Sequence, residues 1–318
     1  QPRMKPWVAC AAVAGVAAAA WYLSRQKCKG VIVGCITEIN RFPIKSCGGE
    51  SLAEAVLDRY GMVGDRKCMV IDSKGDFQTQ RQIPRLCLIK VTWQNSGALQ
   101  LEAPGQRTLS ATVPEKAAPR KARLWDETIQ VVDAGDEAAQ WLSTFLGQEL
   151  RLVGMGQSYD RELVEKEYVP FGSDASCNLA DGYPILLISE ASLEDLNRRM
   201  STPLPMARFR PNLVVKGCRP FEEDEWTRIR IGKVEYDVVK PCGRCKLPTV
   251  DQVTAVMGTE PSATLRTFRQ IDQKGHKLNG SVIFGQNLIP RSYGGKVAVG
   301  DKVEVLSRGA ETYTFKSG

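Results

Sequence analysis

Short segments in which apolar residues alternate with small or polar ones recur from residue 30 onward, and they constrain the fold more than any other feature. In residues 30–40, Val31, Val33, Cys35 and Ile39 take alternate positions, as in a half-buried strand. Similar segments follow at 67–72, 86–93, 98–101 and 128–132. Because these segments are short and separated by turn residues, we expect an antiparallel sheet or barrel.

Helical patterns are fewer. Ala138, Trp141, Leu142 and Phe145 recur at helical spacing before Gly147, which predicts one helix in the first half of the chain. In the second half, helices are predicted near Ser192, which can cap the first of them, and near Ser262. Strands are predicted at 184–189, 228–231, 234–239 and 302–306. The fold class is therefore α+β and mainly β.

The hydrophobic periodicity fades between Gly154 and Asn178. We place a domain boundary near the beginning of this stretch. The prediction is an N-terminal segment at 1–29, a first domain at 30–156 and a second domain at 157–318.

The N-terminal segment has the composition of a membrane anchor. Residues 7–23 are uncharged and rich in alanine and valine, and basic residues flank them on both sides. About 17 apolar residues is the lower limit for a spanning helix. We expect one transmembrane helix with the C-terminal body on the cytosolic side, because positive charge is in excess after the segment. A cleaved signal peptide is the alternative.

Charge and cysteine usage argue against a nucleic-acid-binding protein and a disulfide-rich secreted protein. The formal net charge of +7 is scattered rather than gathered into basic arms, so we expect no nucleic-acid partner. The chain has ten cysteines. Only Cys242 and Cys245 form a pair with recognisable spacing, and the isolated thiols favour a reducing compartment for the folded part.

The pair at Cys242 and Cys245 leaves three interpretations open from the residues alone. Half of a structural zinc site would need further cysteines or histidines, but the chain has one histidine and no second pair. A thioredoxin-like centre needs a helix after the first thiol, which Pro248 and β-branched neighbours disfavour. The third is two ordinary cysteines. Arg244 between them favours a thiolate, the form that binds soft or high-valent metals.

Six segments, in order, resemble the mitochondrial amidoxime reducing component family, and the second half resembles the MOSC domain. The segments are RFPIKSC at 41–47, GDR at 64–66, ADGYPILLISEASLEDLN at 180–197, RFRPN at 208–212, CGRC at 242–245 and FGQ at 284–286. The resemblance implies a β-rich MOSC-associated domain followed by a MOSC β-barrel domain with peripheral helices. It also implies a place in the mitochondrial outer membrane.

The activity implied by the resemblance is molybdopterin-dependent reduction of N-hydroxylated compounds such as amidoximes and hydroxylamines, with nitrite as a further candidate. Cytochrome b5 and NADH-cytochrome b5 reductase would supply the electrons. A non-catalytic carrier of sulfur or of the molybdenum cofactor is the alternative within the same fold.

Site residues follow from the same resemblance. Cys245 is expected to bind the metal, while Cys242 is not a ligand. The other expected cofactor-binding residues are Lys45, Ser46, Arg66, Asp181, Gly182, Tyr183, Arg210, Asn212, Gly243, Arg244 and Asn287. Arginine suits phosphate because it donates two parallel hydrogen bonds, and asparagine can offer both a donor and an acceptor to the pterin edge. Gly182 and Tyr183 stand where the family has serine or threonine, and Gly243 replaces a serine. Because the expected residues come from both halves of the chain, we expect a cleft between the domains.

Overall fold

The computed structural model describes residues 30–94, 96–163, 165–170, 173–310 and 312–316. Strands dominate this part of the chain, which confirms the prediction of a mainly β fold. The first nine strands are β1 (Val31–Arg41), β2 (Glu50–Leu52), β3 (Glu54–Asp58), β4 (Gly61–Met62), β5 (Cys68–Asp72), β6 (Lys90–Trp93), β7 (Leu99–Glu102), β8 (Leu109–Ala111) and β9 (Arg120–Leu124). The others are β10 (Glu127–Asp133), β11 (Leu150–Gly154), β12 (Ile185–Ser189), β13 (Leu213–Lys216), β14 (Trp226–Ile231), β15 (Val234–Gly243), β16 (Ile283–Pro290), β17 (Lys296–Ala298) and β18 (Lys302–Arg308).

The α-helices are short and lie between strands. They are α1 (Asp136–Leu146), α2 (Glu190–Arg198) and α3 (Ser262–Phe268). Five 3₁₀ turns accompany them, at Pro84–Leu88, Lys166–Tyr168, Met206–Arg208, Glu222–Glu225 and Leu247–Thr249.

Seven strands close into a barrel in the order β1-β13-β12-β16-β15-β14-β18, and β18 pairs with β1 again. Neighbouring strands are antiparallel except β12 and β13, which are parallel. A buried apolar cluster draws side chains from all seven strands, with Trp226 and Tyr236 among its largest members. The barrel therefore encloses its own hydrophobic core, as small barrels do.

Strand β1 belongs to the barrel although it comes from the beginning of the described chain. It pairs with β13 through Ile36 and Val215 and with β18 through Val31 and Val305. At Gly34 an added Cβ would come 1.7 Å from the carbonyl oxygen of Lys216. Glycine is therefore required where β1 and β13 approach each other.

The rest of the first half forms smaller sheets beside the barrel. A four-stranded sheet has the order β5-β11-β10-β9, a three-stranded sheet consists of β6, β7 and β8, and β17 joins β3 and β4. Helix α1 buries Trp141, Leu142 and Phe145 in one cluster with residues of these sheets. It ends at Gly147, whose φ of 74° only glycine adopts readily, and this confirms the predicted end of the helix.

Two local predictions were wrong. Helix α2 begins one turn earlier than expected, because the N-cap is Ser189, whose hydroxyl accepts a hydrogen bond from the backbone N–H of Ser192. The segment 86–93 is not one strand. It is divided between the 3₁₀ turn at Pro84–Leu88 and β6, since proline favours the first turn of a helix.

The hairpin predicted at 228–239 is confirmed by β14 and β15, which are joined at Gly232 and Lys233. Strand β15 continues to Gly243 and so delivers the cysteine pair to one end of the barrel. Among the described residues, no helix combines the length and apolar character required to cross a membrane. The anchor predicted at 7–23 lies outside the described residues.

Candidate functional site

All of the site residues expected from the sequence line one open cleft. Its empty volume is about 870 Å³, part of which is open to solvent. The expected residues in its lining are Lys45, Ser46, Arg66, Asp181, Gly182, Tyr183, Arg210, Asn212, Gly243, Arg244, Cys245 and Asn287. Both halves of the chain contribute to this cleft, as anticipated from their positions in the sequence.

Several lining residues have backbone conformations that side chains rarely adopt. Ser46, Arg66 and Arg210 have φ angles of 68°, 43° and 55°. Trp125, at the turn between β9 and β10, has a φ of 58°, and its indole N–H reaches Asp181. Non-glycine residues in this region cost free energy and persist where the surrounding structure enforces them, often at functional sites. Their concentration around one cleft makes it the candidate functional site.

Lys45 lies in the loop after β1 and forms an ion pair with Asp181. Burial lowers the pKa of the Lys45 ammonium, and the Asp181 carboxylate opposes this shift. Desolvation acts to raise the pKa of Asp181, but the charge and hydrogen bond of Lys45 outweigh it and lower this pKa to about 2. The Asp181 side chain is 63% exposed, so solvent screens the pair. Lys45 is thus held at the cleft by a partner that an anionic ligand could replace.

Arg66 and Arg210 stack on the same aromatic ring. Their guanidinium carbons lie 4.6 Å and 4.1 Å from the ring centroid of Phe42. Arg66 donates to the Asp65 carboxylate at 2.6 Å, while Arg210 donates through Nη1 to the Cys47 carbonyl at 2.6 Å. Nη2 of Arg210 is buried and has no partner among the described residues. Burial and the charge of Arg66 lower the pKa of Arg210 to about 9.

This pair fits an anion. Two positive groups share one buried region, and one buried N–H group is left without an acceptor. A phosphate oxygen would satisfy the orphan donor and reduce the repulsion between the guanidinium groups. The donor set therefore matches the phosphate of the expected cofactor.

The two asparagines of the cleft are engaged by the backbone. The Asn212 side chain is almost fully buried; its Oδ1 accepts from the Leu186 N–H at 3.1 Å, and its Nδ2 donates to the Asn40 carbonyl at 3.2 Å. The Asn287 amide donates to the Lys240 carbonyl at 3.1 Å. The donor and acceptor of the Asn212 amide, which were expected to bind the pterin, thus form hydrogen bonds with backbone groups of β12 and β1.

The cysteine pair straddles the end of β15. Cys245 is exposed, and its sulfur accepts hydrogen bonds from the Leu247 N–H at 3.4 Å and from Nη1 of Arg81 at 3.7 Å. Cys242 is less exposed, and burial raises the pKa of its thiol. A 3₁₀ turn rather than an α-helix follows the pair. A thioredoxin-like centre instead lowers the pKa of its first thiol at a helix N-terminus.

Arg244 fastens this loop to the barrel. Its guanidinium donates to the carbonyls of Phe284, at 2.8 Å and 2.6 Å, and of Phe209, at 3.1 Å, and its backbone N–H donates to Val282 at 2.7 Å. The backbone N–H of Arg244 is therefore used within the protein. At Gly243, an added Cβ would meet no atom within 4 Å.

Gly182 and Tyr183, which depart from the family's pattern, also line the cleft. The Tyr183 hydroxyl donates to the Glu165 carbonyl at 3.5 Å, and burial raises its pKa. No cluster of three or more histidine, cysteine or acidic side chains suited to a metal ion occurs in the part of the chain that the structure describes.

Sequence reasoning missed some lining residues, most notably Arg81 and Thr79. Both lie in the polar run Gln78–Gln82 between an apolar strand and Pro84. This polar run is the one sequence feature that could have pointed to Arg81 and Thr79, and its residues are not spaced as in a known type of binding site.

Comparison with known proteins agrees with this geometry. The model of the MOSC N-terminal beta barrel domain matches residues 33–149, and that of the MOSC domain matches residues 174–304. Mitochondrial amidoxime-reducing component 1 of Mus musculus is 35% identical over 322 residues, covering 97% of this chain and 94% of the relative. Component 2 of Rattus norvegicus is 37% identical over 320 residues, covering 95% and 94%. Component 1 of Homo sapiens is 36% identical over 285 residues, covering 87% and 84%. With two MOSC-type domains and such relatives along almost its whole length, this chain belongs to the mitochondrial amidoxime reducing component family of oxidoreductases.

Proposed function

We propose that this chain is a molybdenum-cofactor-dependent reductase of N-hydroxylated compounds, amidoximes and hydroxylamines above all, and that the Cys245 sulfur binds the metal. The observation that carries the proposal is the convergence in one cleft of an exposed thiol and an arginine pair with one unsatisfied buried N–H group. A metal held mainly by its cofactor would need one protein thiolate, which Cys245 could provide. It does not need the four ligands of a structural zinc site.

Different residues of the cleft would have different roles in holding the cofactor. Arg66, Arg210 and Lys45 supply positive charge and N–H donors for its phosphate, and Ser46 supplies a hydroxyl. Arg244 acts on the loop that carries Cys245, because its guanidinium is bound to backbone carbonyls. Asn212 holds the wall of the cleft together, since its amide forms hydrogen bonds to two strands, β12 and β1.

When bound, the molybdenum cofactor would supply the electrons that break the N–O bond of the substrate. The reaction also consumes protons and releases water. The chain fixes the cofactor, presents the Cys245 sulfur and leaves the mouth of the cleft open to small substrates.

The electron donors proposed for this chain are cytochrome b5 and NADH-cytochrome b5 reductase. A net charge of +7 favours an acidic partner. We also propose attachment to the mitochondrial outer membrane through residues 7–23, with the domains 30–156 and 157–318 facing the cytosol. Relatives named as mitochondrial support the organelle.

Two matched variants test the proposal. The full chain is loaded with cofactor, and benzamidoxime reduction is measured with cytochrome b5 and its reductase, with cofactor-free protein as control. Cys245→Ser should lower activity by more than the about 10–100-fold typical of losing a residue next to a metal ligand. Cys242→Ser should retain both activity and molybdenum, because this thiol is not a ligand.

Other outcomes identify the alternatives. Loss of activity in Cys242→Ser with molybdenum still bound would favour disulfide exchange. Tight molybdenum binding without benzamidoxime reduction would favour a carrier. Zinc in place of molybdenum in the purified chain would refute the proposal.

A further inference from the structure

Arg81 is the side chain from the first half of the chain that reaches the proposed metal ligand. Its Nη1 donates to the Cys245 sulfur at 3.7 Å, although the two residues are 164 positions apart in the sequence. We propose that Arg81 is a positioning residue that orients the Cys245 sulfur and tunes its electron donation to the metal. This inference rests on the proposed function and extends it to the control of the metal centre.

The loop that carries Arg81 is fixed from both sides of the cleft. The Arg81 backbone N–H donates to the Thr79 hydroxyl at 3.2 Å. The neighbouring Gln80 amide donates to the Ser46 carbonyl at 2.7 Å and exchanges hydrogen bonds with Gln252 at 3.2 Å and 2.9 Å. The loop is therefore tied to the Lys45–Ser46 loop and to the segment after Cys245. These contacts position Arg81 at the cleft.

The guanidinium also rests on a fixed aromatic surface. Its central carbon lies 4.5 Å from the ring centroid of Trp125. Trp125 keeps a left-handed backbone at φ 58°, packs against Phe77 with 5.1 Å between ring centroids, and donates to Asp181 at 3.3 Å. A planar guanidinium stacks on an aromatic ring, whereas a lysine ammonium does not share this geometry. The contact with Trp125 thus keeps the Arg81 guanidinium near the sulfur.

A hydrogen bond and a positive charge at a ligating sulfur draw electron density away from the metal. The reduced metal is then favoured, and the reduction potential rises. Removing Arg81 should therefore lower the potential, so that the electron donor reduces the metal less readily and turnover slows, without removing the metal. A residue that only stabilised the fold would not shift the potential.

The test uses cofactor-loaded full chain with Arg81→Met and Arg81→Lys. Arg85→Met is the matched control, because Arg85 also stacks on an aromatic ring, at 4.5 Å from the Phe145 centroid, but does not line the cleft. Molybdenum per chain, the paramagnetic resonance signal of the partly reduced metal, its midpoint potential and the kcat and KM for benzamidoxime are measured.

Arg81→Met should keep its molybdenum, change the resonance signal, lower the midpoint potential and reduce kcat about 10–100-fold with little change in KM. Arg81→Lys should fall between Arg81→Met and the unsubstituted chain, and Arg85→Met should match the unsubstituted chain. An unchanged signal and potential in Arg81→Met would overturn the inference. So would loss of the metal, which would make Arg81 a cofactor-binding residue. A Cys245→Ser variant with the same signal as the unsubstituted chain would instead refute the proposed function.

Discussion

Asn212 should stabilise the protein even when no cofactor is bound. Its buried amide accepts from the Leu186 N–H at 3.1 Å and donates to the Asn40 carbonyl at 3.2 Å. Asn212→Ala removes both hydrogen bonds and leaves a β12 N–H group without its acceptor. A net hydrogen bond contributes about 1 kcal/mol, and a buried polar group left unpaired costs about 1–3 kcal/mol. We therefore expect the free energy of unfolding to fall by about 2–4 kcal/mol.

Urea denaturation of the cofactor-free full chain measures this change. Asn287→Ala is the matched control, because Asn287 also lines the cleft but makes one side-chain hydrogen bond, to Lys240. That control should lose about 1 kcal/mol. If cofactor-free Asn212→Ala unfolded at the same urea concentration as the unsubstituted chain, and lost stability only after loading, Asn212 would act through the cofactor. Our assignment of its amide to the barrel would then be wrong.

Two further predictions concern a cleft glycine and a buried carboxyl. Gly243→Ser should change the free energy of unfolding by less than about 0.5 kcal/mol and leave the molybdenum content unchanged. The reason is that an added Cβ at Gly243 meets no atom within 4 Å. A lower molybdenum content on metal analysis would contradict this prediction. Burial and the charge of Asp224 raise the pKa of Glu223 to about 7 from an ordinary 4.5. The folded state therefore binds the proton more tightly, and the free energy of unfolding should fall as the pH rises from about 4.5 to about 7. Glu223→Gln should flatten this slope in urea titrations over that pH range, and an unaltered slope would exclude Glu223 as its source.

Sequence patterns predicted those parts of the fold that depend on local chemistry. The hairpin of β14 and β15 follows from alternating residues around Gly232 and Lys233, and α1 ends where Gly147 adopts a left-handed backbone. Such signals lie within a few residues of each other. The pairing of β1 with β13 and β18 could not be predicted in the same way, because it depends on distant segments with similar apolar patterns.

Prediction of the candidate site from the sequence was limited in the same way. The expected residues of the cleft lie in the motif segments, except Asn287, which directly follows the last one. These segments did not reveal which polar side chains would form hydrogen bonds with the backbone. Arg244 binds the carbonyls of Phe284 and Phe209 rather than pointing a free guanidinium at a ligand. Arg81 was missed because its link to Cys245 arises only after folding. The hydrogen-bond partners of such side chains are determined only when folding brings distant segments together.

The position of β1 has a consequence for biosynthesis. Its partner β18 ends at Arg308, so ribosomal synthesis must pass this residue before the barrel can close. Contacts this distant in sequence are slow to form, and the edges of β1 and β14 that β18 will cover remain open to aggregation until then. Because the loop with Lys45 and Ser46 continues directly from β1, closure of the barrel also fixes the point from which this loop begins. Premature termination before β18 should therefore yield a polypeptide that neither folds fully nor retains a cofactor.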